Sequence, residues 1–289
     1  MADVAPANAE ATEAWDGPLF DRWVRFRPFV ADGLGTHGDV AMAAHPPRPG
    51  DRALDIGCGF GDTTRRLAEL VGAAGEAVGI DVSERFVEAA GEEAAAAGLA
   101  NVSFRLGDVQ IADLGGPYDY VFSRMGVMFF ANPVAALRNI RAAMAPSGRL
   151  CVVVWRRKLD NGWVWEAEQV VDQYLQHPEE TDEPTCGPGP FSMANADTVS
   201  EQLHIAGFEA IELRRNDLPM PMGTLDQATD LTMALGPAGE VLRLWGDRAE
   251  EIRPRIASEI RAALEQFAVD GKVRAPASTW IISATAPAG

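Results

Sequence analysis

The feature that most constrains the fold of this chain is the alternation of short apolar runs with helical segments between residues 52 and 156. The intervening stretches place apolar residues at helical spacing, as Leu67, Leu70 and Val71 do, or begin with a helix-capping residue such as Ser83. Strands joined by helices form a parallel sheet with right-handed crossovers and helices on both faces. The pattern therefore predicts an α/β fold. Its first five strands are predicted at residues 52–57, 76–81, 101–108, 118–124 and 148–156.

The alternation is interrupted after residue 156 and resumes with a helix at 195–207 and strands at 208–215 and 278–287. Aromatic residues recur at near-helical spacing between Trp15 and Phe29, which predicts an N-terminal helix packed on the domain. We therefore expect three kinds of segment. They are an N-terminal helical cap at 1–50, a core at 51–156, 191–216 and 277–287, and lid or substrate-cap insertions at 157–190 and 217–272.

Charge and cysteine content limit the partners of the chain. A formal net charge of −17 over 289 residues disfavours nucleic acid and anionic membrane surfaces. No run approaches the ~18 apolar residues of a membrane span, and Cys58, Cys151 and Cys186 lack the spacing of a disulfide framework or a metal site. We expect a cytoplasmic protein with no metal and no nucleic-acid or membrane partner. Its oligomeric state is left open, with a homodimer as one alternative.

The first strand runs into a glycine-rich loop, LDIGCGFGDTT, at residues 54–64. A dinucleotide-binding loop has the spacing G-x-G-x-x-G, but Asp62 occupies the last of those positions, and no Gly-Lys-Ser/Thr of a phosphate-binding loop follows. Asp55 and Asp62 would also repel a pyrophosphate. The loop therefore favours a ligand that carries positive charge and approaches the backbone at Gly57 and Gly59. S-adenosylmethionine, which has an ammonium and a sulfonium but no phosphate, meets that description.

Two further carboxylates follow the next strands. Asp81 ends the second strand, where it can accept hydrogen bonds from both ribose hydroxyls, although an NAD enzyme would place an acid similarly. Asp108 ends the third strand in the sequence LGDVQ, where it can accept from the adenine amino group while the backbone of Val109 donates to the ring. The two positions together predict a nucleoside site.

Five motifs in register carry a family resemblance: LDIGCGFGDTT, GIDVS, GDVQ, FSRMGVMFFANP and APSGRLCVVVW. With them, residues 53–156 resemble a class I S-adenosylmethionine-dependent methyltransferase of the small-molecule group that includes the ubiquinone and menaquinone methyltransferases. The resemblance implies a Rossmann-like sheet of seven strands, mostly parallel, whose last strand, at 278–287, is antiparallel. The two insertions are expected to add helical lids to this sheet.

The resemblance assigns cofactor-binding roles to ten residues. The methionine moiety falls to the glycine-rich loop, the ribose to the end of the second strand, the adenine to the end of the third, and the methyl-transfer face to the end of the fourth. In that order the residues are Asp55, Gly57, Cys58 and Gly59; Asp81 and Val82; Asp108 and Val109; and Ser123 and Arg124.

No catalytic residue is assigned from the sequence. His37 and His45 precede the first strand, where this group's N-terminal segment often approaches the cofactor, and imidazole titrates near neutrality. They are the candidates named for a general base, but an acceptor that is already ionised needs none once it is positioned in line. The sequence SRMG at 123–126 lacks the Asn/Asp-Pro-Pro-aromatic run of nucleic-acid amino methyltransferases, which counts against bases or protein glutamine as acceptors.

The function predicted is methyl transfer from S-adenosyl-L-methionine to the oxygen, nitrogen or carbon of a small hydrophobic or aromatic molecule. Aromatic and methionine residues in the insertions, such as Trp163 and Met220, favour an apolar acceptor. Two alternatives remain at this point. One is a protein that binds S-adenosylmethionine without turning it over, and the other is an NAD(P)-dependent oxidoreductase.

Overall fold

A twisted, mostly parallel sheet forms the centre of the protein. The computed structural model describes residues 4–178 and 187–289. Within those ranges the strands are β1 (Arg52–Ile56), β2 (Glu76–Asp81), β3 (Val102–Leu106), β4 (Tyr118–Arg124), β5 (Met144–Trp155), β6 (Glu209–Pro221), β7 (Ala268–Val269) and β8 (Lys272–Thr285). The strand order is β3-β2-β1-β4-β5-β8-β6, and the two-residue β7 pairs with β8 beside this path.

The direction of the strands confirms the expected arrangement. The strands β1 to β5 pair in parallel, whereas β8 lies antiparallel between β5 and β6. Seven strands make up the continuous path, and β7 is a short addition at the turn that leads into β8. The segment predicted as the antiparallel last strand forms most of β8.

The last two long strands extend beyond their predicted ends. We predicted strands at 208–215 and 278–287, but pairing between β6 and β8 continues as far as Pro221 opposite Arg274. The sequence assigned residues 217–272 to the second lid insertion. Pro219 and Pro221 nevertheless fit into β6, because β6 is the edge of the sheet, where a residue without an N–H is tolerated. The sheet therefore includes residues that the sequence placed in the second lid insertion.

Eleven α-helices surround the sheet within the described residues. They are α1 (Ala9–Asp16), α2 (Pro18–Arg25), α3 (Arg27–Ala44), α4 (Asp62–Val71), α5 (Glu84–Ala96), α6 (Pro133–Ala142), α7 (Gly162–Val171), α8 (Ala196–Ile205), α9 (Leu225–Ala234), α10 (Gly236–Trp245) and α11 (Arg253–Leu264). The helices α7, α9, α10 and α11 pack on one another. Helices from the two predicted insertions thus form one group.

The N-terminal region contains three helices where the aromatic spacing predicted one. Gly17 interrupts the helical backbone after α1, and Pro18 begins α2. Phe26 ends α2, and Pro28 lies in the first turn of α3. Proline is favoured at the start of a helix but ends the one before it, so the two prolines divide the segment.

The topology locates the site. The chain moves from β1 towards β3 through α4 and α5, and in the opposite direction from β4 to β5 through α6. Right-handed crossovers that move in opposite directions place their helices on opposite faces of the sheet, which leaves a crevice at the carboxyl ends of β1 and β4.

None of the described helices is both long enough and apolar enough to cross a membrane.

Candidate active site

A cavity of about 820 Å³ opens at the carboxyl ends of the parallel strands. The loops that follow β1, β2, β3 and β4 form one side of it, and the N-terminal helices, α7, α9 and α10 form the other. This is the crevice that the strand order predicts for a ligand site in an open α/β sheet.

The glycines of the loop after β1 have different physical roles. Gly57 has a φ of +65°, and a Cβ there would lie 2.8 Å from the Cα of Gly126, in the loop after β4. Gly59 has a φ of +52°, but a Cβ there would meet only the Phe86 ring, at 4.0 Å. A Cβ on Gly61 would lie 2.8 Å from the Phe104 ring. Gly57 and Gly61 therefore permit close packing, whereas Gly59 leaves the backbone open to a ligand.

The start of α4 differs from its prediction. We expected Asp62, Thr63 or Thr64 to cap this helix, but the N-cap is Gly61 and no side chain caps it. Thr64 instead lies within the first turn, where its Oγ1 donates to Asp55 Oδ2 at 2.7 Å. Its hydroxyl is thus used to satisfy a buried carboxyl group of β1.

Asp81 faces the cavity from the end of β2. Its Oδ2 accepts from the Gly59 N–H at 2.9 Å, and its Oδ1 accepts from the Ser83 N–H at 3.0 Å. Burial by the surrounding protein raises the pKa of Asp81, and these backbone N–H groups oppose the rise. The carboxylate thereby links the glycine-rich loop to the start of α5, where Ser83 is the N-cap as predicted.

Asp108 is buried at the end of β3 and accepts hydrogen bonds on both oxygens. Gln110 donates to Oδ1 from its backbone N at 3.0 Å and from Nε2 at 3.1 Å. Two donors from the N-terminal segment reach Oδ2: the Ala5 N–H at 3.0 Å and Asn8 Nδ2 at 3.2 Å. The N-terminal segment is therefore anchored on a carboxylate about 100 residues away.

Eight of the ten residues predicted to bind the cofactor line the cavity: Gly57, Cys58, Gly59, Asp81, Val82, Asp108, Val109 and Arg124. The other two, Asp55 and Ser123, are buried behind the lining. Ser123 Oγ donates to the carbonyl of Ile56 at 2.8 Å, which ties the ends of β4 and β1 together.

Charged groups surround the inner end of the cavity. Burial raises the pKa of Asp55 to about 7, against the lowering effect of the Thr64 hydrogen bond and of Arg124. Burial also lowers the pKa of Arg124, which the nearby carboxylates oppose. Asp62 is paired with Arg27 at 3.2 Å and with Arg65 at 2.6 Å. The argument that Asp62 repels a pyrophosphate is therefore weaker than the sequence suggested.

The two candidate bases lie away from the cavity lining. His37 is fully buried; Asn216 Nδ2 donates to its Nδ1 at 3.1 Å, and Thr279 Oγ1 lies 3.1 Å from the same atom. Burial lowers the pKa of His37 to about 4, so the imidazole is neutral at pH 7. His45 follows α3, and its carbonyl accepts from the Tyr120 hydroxyl. His177 does line the cavity, at its exposed edge.

The outer wall of the cavity is mainly apolar. Its side chains come from the N-terminal helices, the loop after β4, the end of β6, α7, α9 and the connection from α9 to α10. They include Trp15, Trp23, Phe29, Leu34, Met128, Phe129, Trp163, Val164, Met220, Leu231 and Leu235. Trp163 and Met220 were expected in a lid or its core, and both line the cavity. Trp165, Met222 and Trp245 are not part of the lining. Lys158 and Glu168 are an ion pair on the same wall.

Sequence comparison identifies the family. A family model described as a methyltransferase domain matches residues 47–180. Nocamycin O-methyltransferase of Saccharothrix syringae is 30% identical over 241 residues, which span 79% of this chain and 83% of that protein. The chain is a class I S-adenosylmethionine-dependent methyltransferase. Its cofactor is S-adenosyl-L-methionine, and the oxidoreductase alternative is wrong.

Two other matches support less about this methyltransferase, because one covers a smaller part of the chain and the other has low sequence identity. Demethylmenaquinone methyltransferase of Staphylococcus aureus is 34% identical over 102 residues, or 35% of this chain and 42% of that protein. A structure of Haemonchus contortus phosphoethanolamine N-methyltransferase 2 in complex with S-adenosyl-L-methionine covers 98% of this chain and 60% of its own, with a TM-score of 0.57 and 17% identity. The second likeness shows the fold alone.

The site residues fit this cofactor. The backbone at Gly59 has free space beside it, and the Asp81 carboxylate lines the same cavity, where it can accept hydrogen bonds from ribose hydroxyls. The sequence analysis did not single out several residues of the cavity lining, among them Asn8, Leu34 and Leu231. Asn8 is the clearest case, because a single asparagine in an Ala-rich stretch carries no local signal of its contact with Asp108.

Proposed function

We propose that this methyltransferase transfers a methyl group to the oxygen of a small, apolar or aromatic acceptor. One observation carries the proposal: the cavity has carboxylates at its nucleoside end and an apolar, largely aromatic wall opposite them. An apolar wall binds acceptors that bury hydrophobic surface and does not compensate a polar acceptor for lost hydration. Oxygen is preferred because the relative that aligns over 83% of its own length is an O-methyltransferase.

The cofactor roles in this proposal follow the lining of the cavity. Asp81 holds the ribose hydroxyls, and the backbone at Gly57 and Gly59 approaches the methionine moiety. Val109 lies at the adenine. Asp55 is buried behind the glycine loop, so we assign it no direct contact with the cofactor.

The protein's own residues contribute to the reaction by positioning the acceptor and by excluding water. Bound S-adenosyl-L-methionine supplies an electrophilic methyl group on its sulfonium. The aromatic wall excludes water and holds the acceptor in line, which contributes through proximity and orientation. Since His37 and His45 lie outside the cavity lining, we assign neither as a base. An acceptor hydroxyl acidic enough to ionise near neutral pH suits such a site, as a phenol with electron-withdrawing substituents does.

The proposal is tested with methyl-labelled S-adenosyl-L-methionine and a panel of acceptors. We expect label in substituted phenols and enols and little in polar amines of similar size. Asp81→Ala is the matched control: it should lose binding of S-adenosylhomocysteine in calorimetry and, with it, transfer to every acceptor. Transfer to the polar amines alone would contradict the proposed acceptor class and leave the cofactor roles intact.

A cytoplasmic location is also part of the proposal. Cys58 and Cys151 are free and buried, as expected of a protein kept under reducing conditions. Cys186 lies outside the described residues. Fractionation of the host cell, with the protein detected by antibody, tests the location, and recovery from the extracellular fraction would contradict it.

A further inference from the structure

Arg124 supplies a positive charge to the lining of the cavity. It is the last residue of β4, and its nitrogens retain accessible surface in a side chain that lines the cavity. Among residues 4–178 and 187–289, its guanidinium forms no hydrogen bond and no salt bridge. A cation without a partner in a largely apolar cavity is poorly solvated, so an anionic ligand beside it replaces the lost interactions.

The packing of α3 makes room for the Arg124 side chain. A Cβ on Gly38 would lie 3.1 Å from Arg124 Cδ, and a Cβ on Gly35 would lie 3.7 Å from Nη1. The stem of Arg124 therefore runs along α3 at a place where two glycines leave space for it. Contacts of the stem position this side chain, and its charged end is not used for that purpose.

Arg124 also adjoins the apolar wall of the cavity. On the same helix α3, a Cβ on Gly33 would lie 3.4 Å from the Met220 side chain, and Leu34 lines the cavity. Both Met220 and Leu34 belong to the apolar wall. On its other side, the loop that follows Arg124 packs on the glycine-rich loop through Gly126. Arg124 thus lies between the glycine-rich loop and the apolar wall, where the methyl group and the acceptor meet in the proposed function.

The carboxylates that face Arg124 keep it charged without forming an ion pair with it. Burial lowers the pKa of Arg124, and Asp62 of α4, Asp55 of β1 and Asp39 of α3 oppose that change. Asp62 is already paired with two other arginines. An arginine side chain stays protonated at neutral pH. The guanidinium is therefore a permanent cation at this point of the cavity.

We propose that Arg124 binds an ionised oxygen of the acceptor, so that the acceptors of this enzyme are acids that bind as anions, namely phenols, enols or carboxylic acids. The inference rests on the proposed function and narrows its acceptor class. It also explains how transfer proceeds without His37 or His45. A hydroxyl bound beside Arg124 loses its proton to water, because a nearby cation favours the ionised form.

The transfer step then needs no further proton acceptor. A lone pair of the ionised oxygen forms the bond to the methyl carbon of S-adenosyl-L-methionine. The bond between that carbon and sulfur breaks, and its electron pair stays on the sulfur, which becomes the neutral thioether of S-adenosylhomocysteine. The acceptor leaves as an uncharged ether or ester, so its attraction to Arg124 is lost on transfer.

Two coloured phenols test the inference. The probes 4-nitrophenol and 4-nitro-1-naphthol absorb at different wavelengths as phenol and as phenolate, so their ionisation can be followed when they bind the complex of the protein with S-adenosylhomocysteine. We expect the wild-type complex to lower the pKa of the bound phenol by at least about one, which equals a roughly tenfold preference for the phenolate. Binding of neither probe, or binding with an unchanged or raised pKa, overturns the proposal.

Substitutions at Arg124 assign the effect to its charge. We expect Arg124→Met, which keeps a long unbranched side chain, to lose the lowering of the phenol pKa, and Arg124→Lys to retain much of it. Arg66→Met is the matched control, because Arg66 is an exposed arginine of α4 paired with Glu69. It should bind the phenolate as the wild type does. An equal loss in Arg66→Met, or no loss in Arg124→Met, overturns the proposal.

The methionine end of the cofactor is a second source of a carboxylate. Calorimetric titration with S-adenosylhomocysteine and with 5′-methylthioadenosine, which lacks the amino-acid end, separates the two sources. We expect Arg124→Met to leave both affinities unchanged, which also shows that the variant is folded. Weaker binding of S-adenosylhomocysteine alone would assign Arg124 to the cofactor and overturn its role toward the acceptor. Failure of the wild-type protein to bind S-adenosylhomocysteine contradicts the proposed function itself.

Discussion

Asp55 shows how strongly a single buried position can shift a titration in this protein. It lies at the end of β1 with 1% of its surface exposed, and burial raises its pKa to about 7, well above its ordinary value. Among the residues that the structure describes, Thr64 is the one side chain that donates a hydrogen bond to it. The group is therefore partly protonated at neutral pH in the folded protein and ionised in the unfolded chain.

This difference predicts the sign of a pH effect on stability. Between about pH 4 and pH 7 the folded protein retains a proton on Asp55 that the unfolded chain has lost, so the free energy of unfolding falls as pH rises through this window. Asp55→Asn keeps the shape and the Thr64 hydrogen bond but does not titrate. Relative to the wild type, we expect the variant to gain about 2 kcal/mol between pH 5 and pH 8 in urea unfolding.

The comparison with the variant cancels the titration of the other carboxylates, which are common to both proteins. Parallel stability profiles for the wild type and Asp55→Asn would show that the folded and unfolded pKa values of Asp55 are the same.

The glycine-rich loop and its neighbour after β4 are the element on which the site depends. Gly57 and Gly126 are so close that neither position accepts a side chain: a Cβ on Gly57 would lie 2.8 Å from Gly126 Cα, and one on Gly126 would lie 2.6 Å from the carbonyl of Ile56. This contact brings the loop after β1 against the loop after β4 at the inner end of the cavity. Glycine is needed at this loop for packing as well as for ligand approach.

Substitution of two glycines separates backbone strain from packing. Gly57→Ala combines a positive φ with a backbone clash, whereas Gly98→Ala has a similar φ of +67° with nothing within 4 Å. We expect Gly98→Ala to cost about 1 kcal/mol of stability and Gly57→Ala to cost at least about 2 kcal/mol. Urea unfolding of the two variants measures the difference, and equal losses would mean that the contact with Gly126 relaxes freely.

At the scale of the whole molecule, the cavity joins segments that are far apart in the chain. The loops after the parallel strands contribute the side with Asp81 and Asp108, where we propose that the nucleoside binds. The apolar wall comes mainly from the N-terminal helices and from α7, α9 and α10. Changes in the wall should therefore affect the acceptor and leave the cofactor unaffected.

Two positions at the end of α9 and just beyond it test this separation. Leu235 lines the cavity and is partly exposed, whereas Met233 is also partly exposed but is not in the lining. We expect Leu235→Lys to raise the KM for an apolar acceptor about tenfold, because a charge in an apolar wall is poorly solvated, while the Kd for S-adenosylhomocysteine stays unchanged. Met233→Lys should change neither value. A higher Kd in Leu235→Lys would show that the two ends of the cavity are not independent.

The parts of the fold that could be predicted from sequence were those with local signals. Buried parallel strands appear as apolar runs, so β2 and β4 were predicted with their observed ends. The N-cap at Ser83 and the carboxylates at the ends of β2 and β3 are likewise read from a few neighbouring residues. The strand pairs beyond residue 215 were missed because residues 217–272 were assigned to a lid insertion, and the pairing of an edge strand with a segment more than 50 residues away leaves no local signal.

The sequence by itself determined the α/β class, the glycine-rich turn and the acidic residues at the strand ends, because backbone conformation and hydrophobic periodicity depend on residues close in the chain. Only the tertiary structure decided that Asp55 lies behind the cavity lining, that His37 is enclosed with Asn216 and Thr279, and that Asn8 contacts Asp108. These hydrogen bonds join residues from 100 to 242 positions apart. Their formation depends on how whole helices pack against the sheet, and no periodicity within either segment encodes that packing.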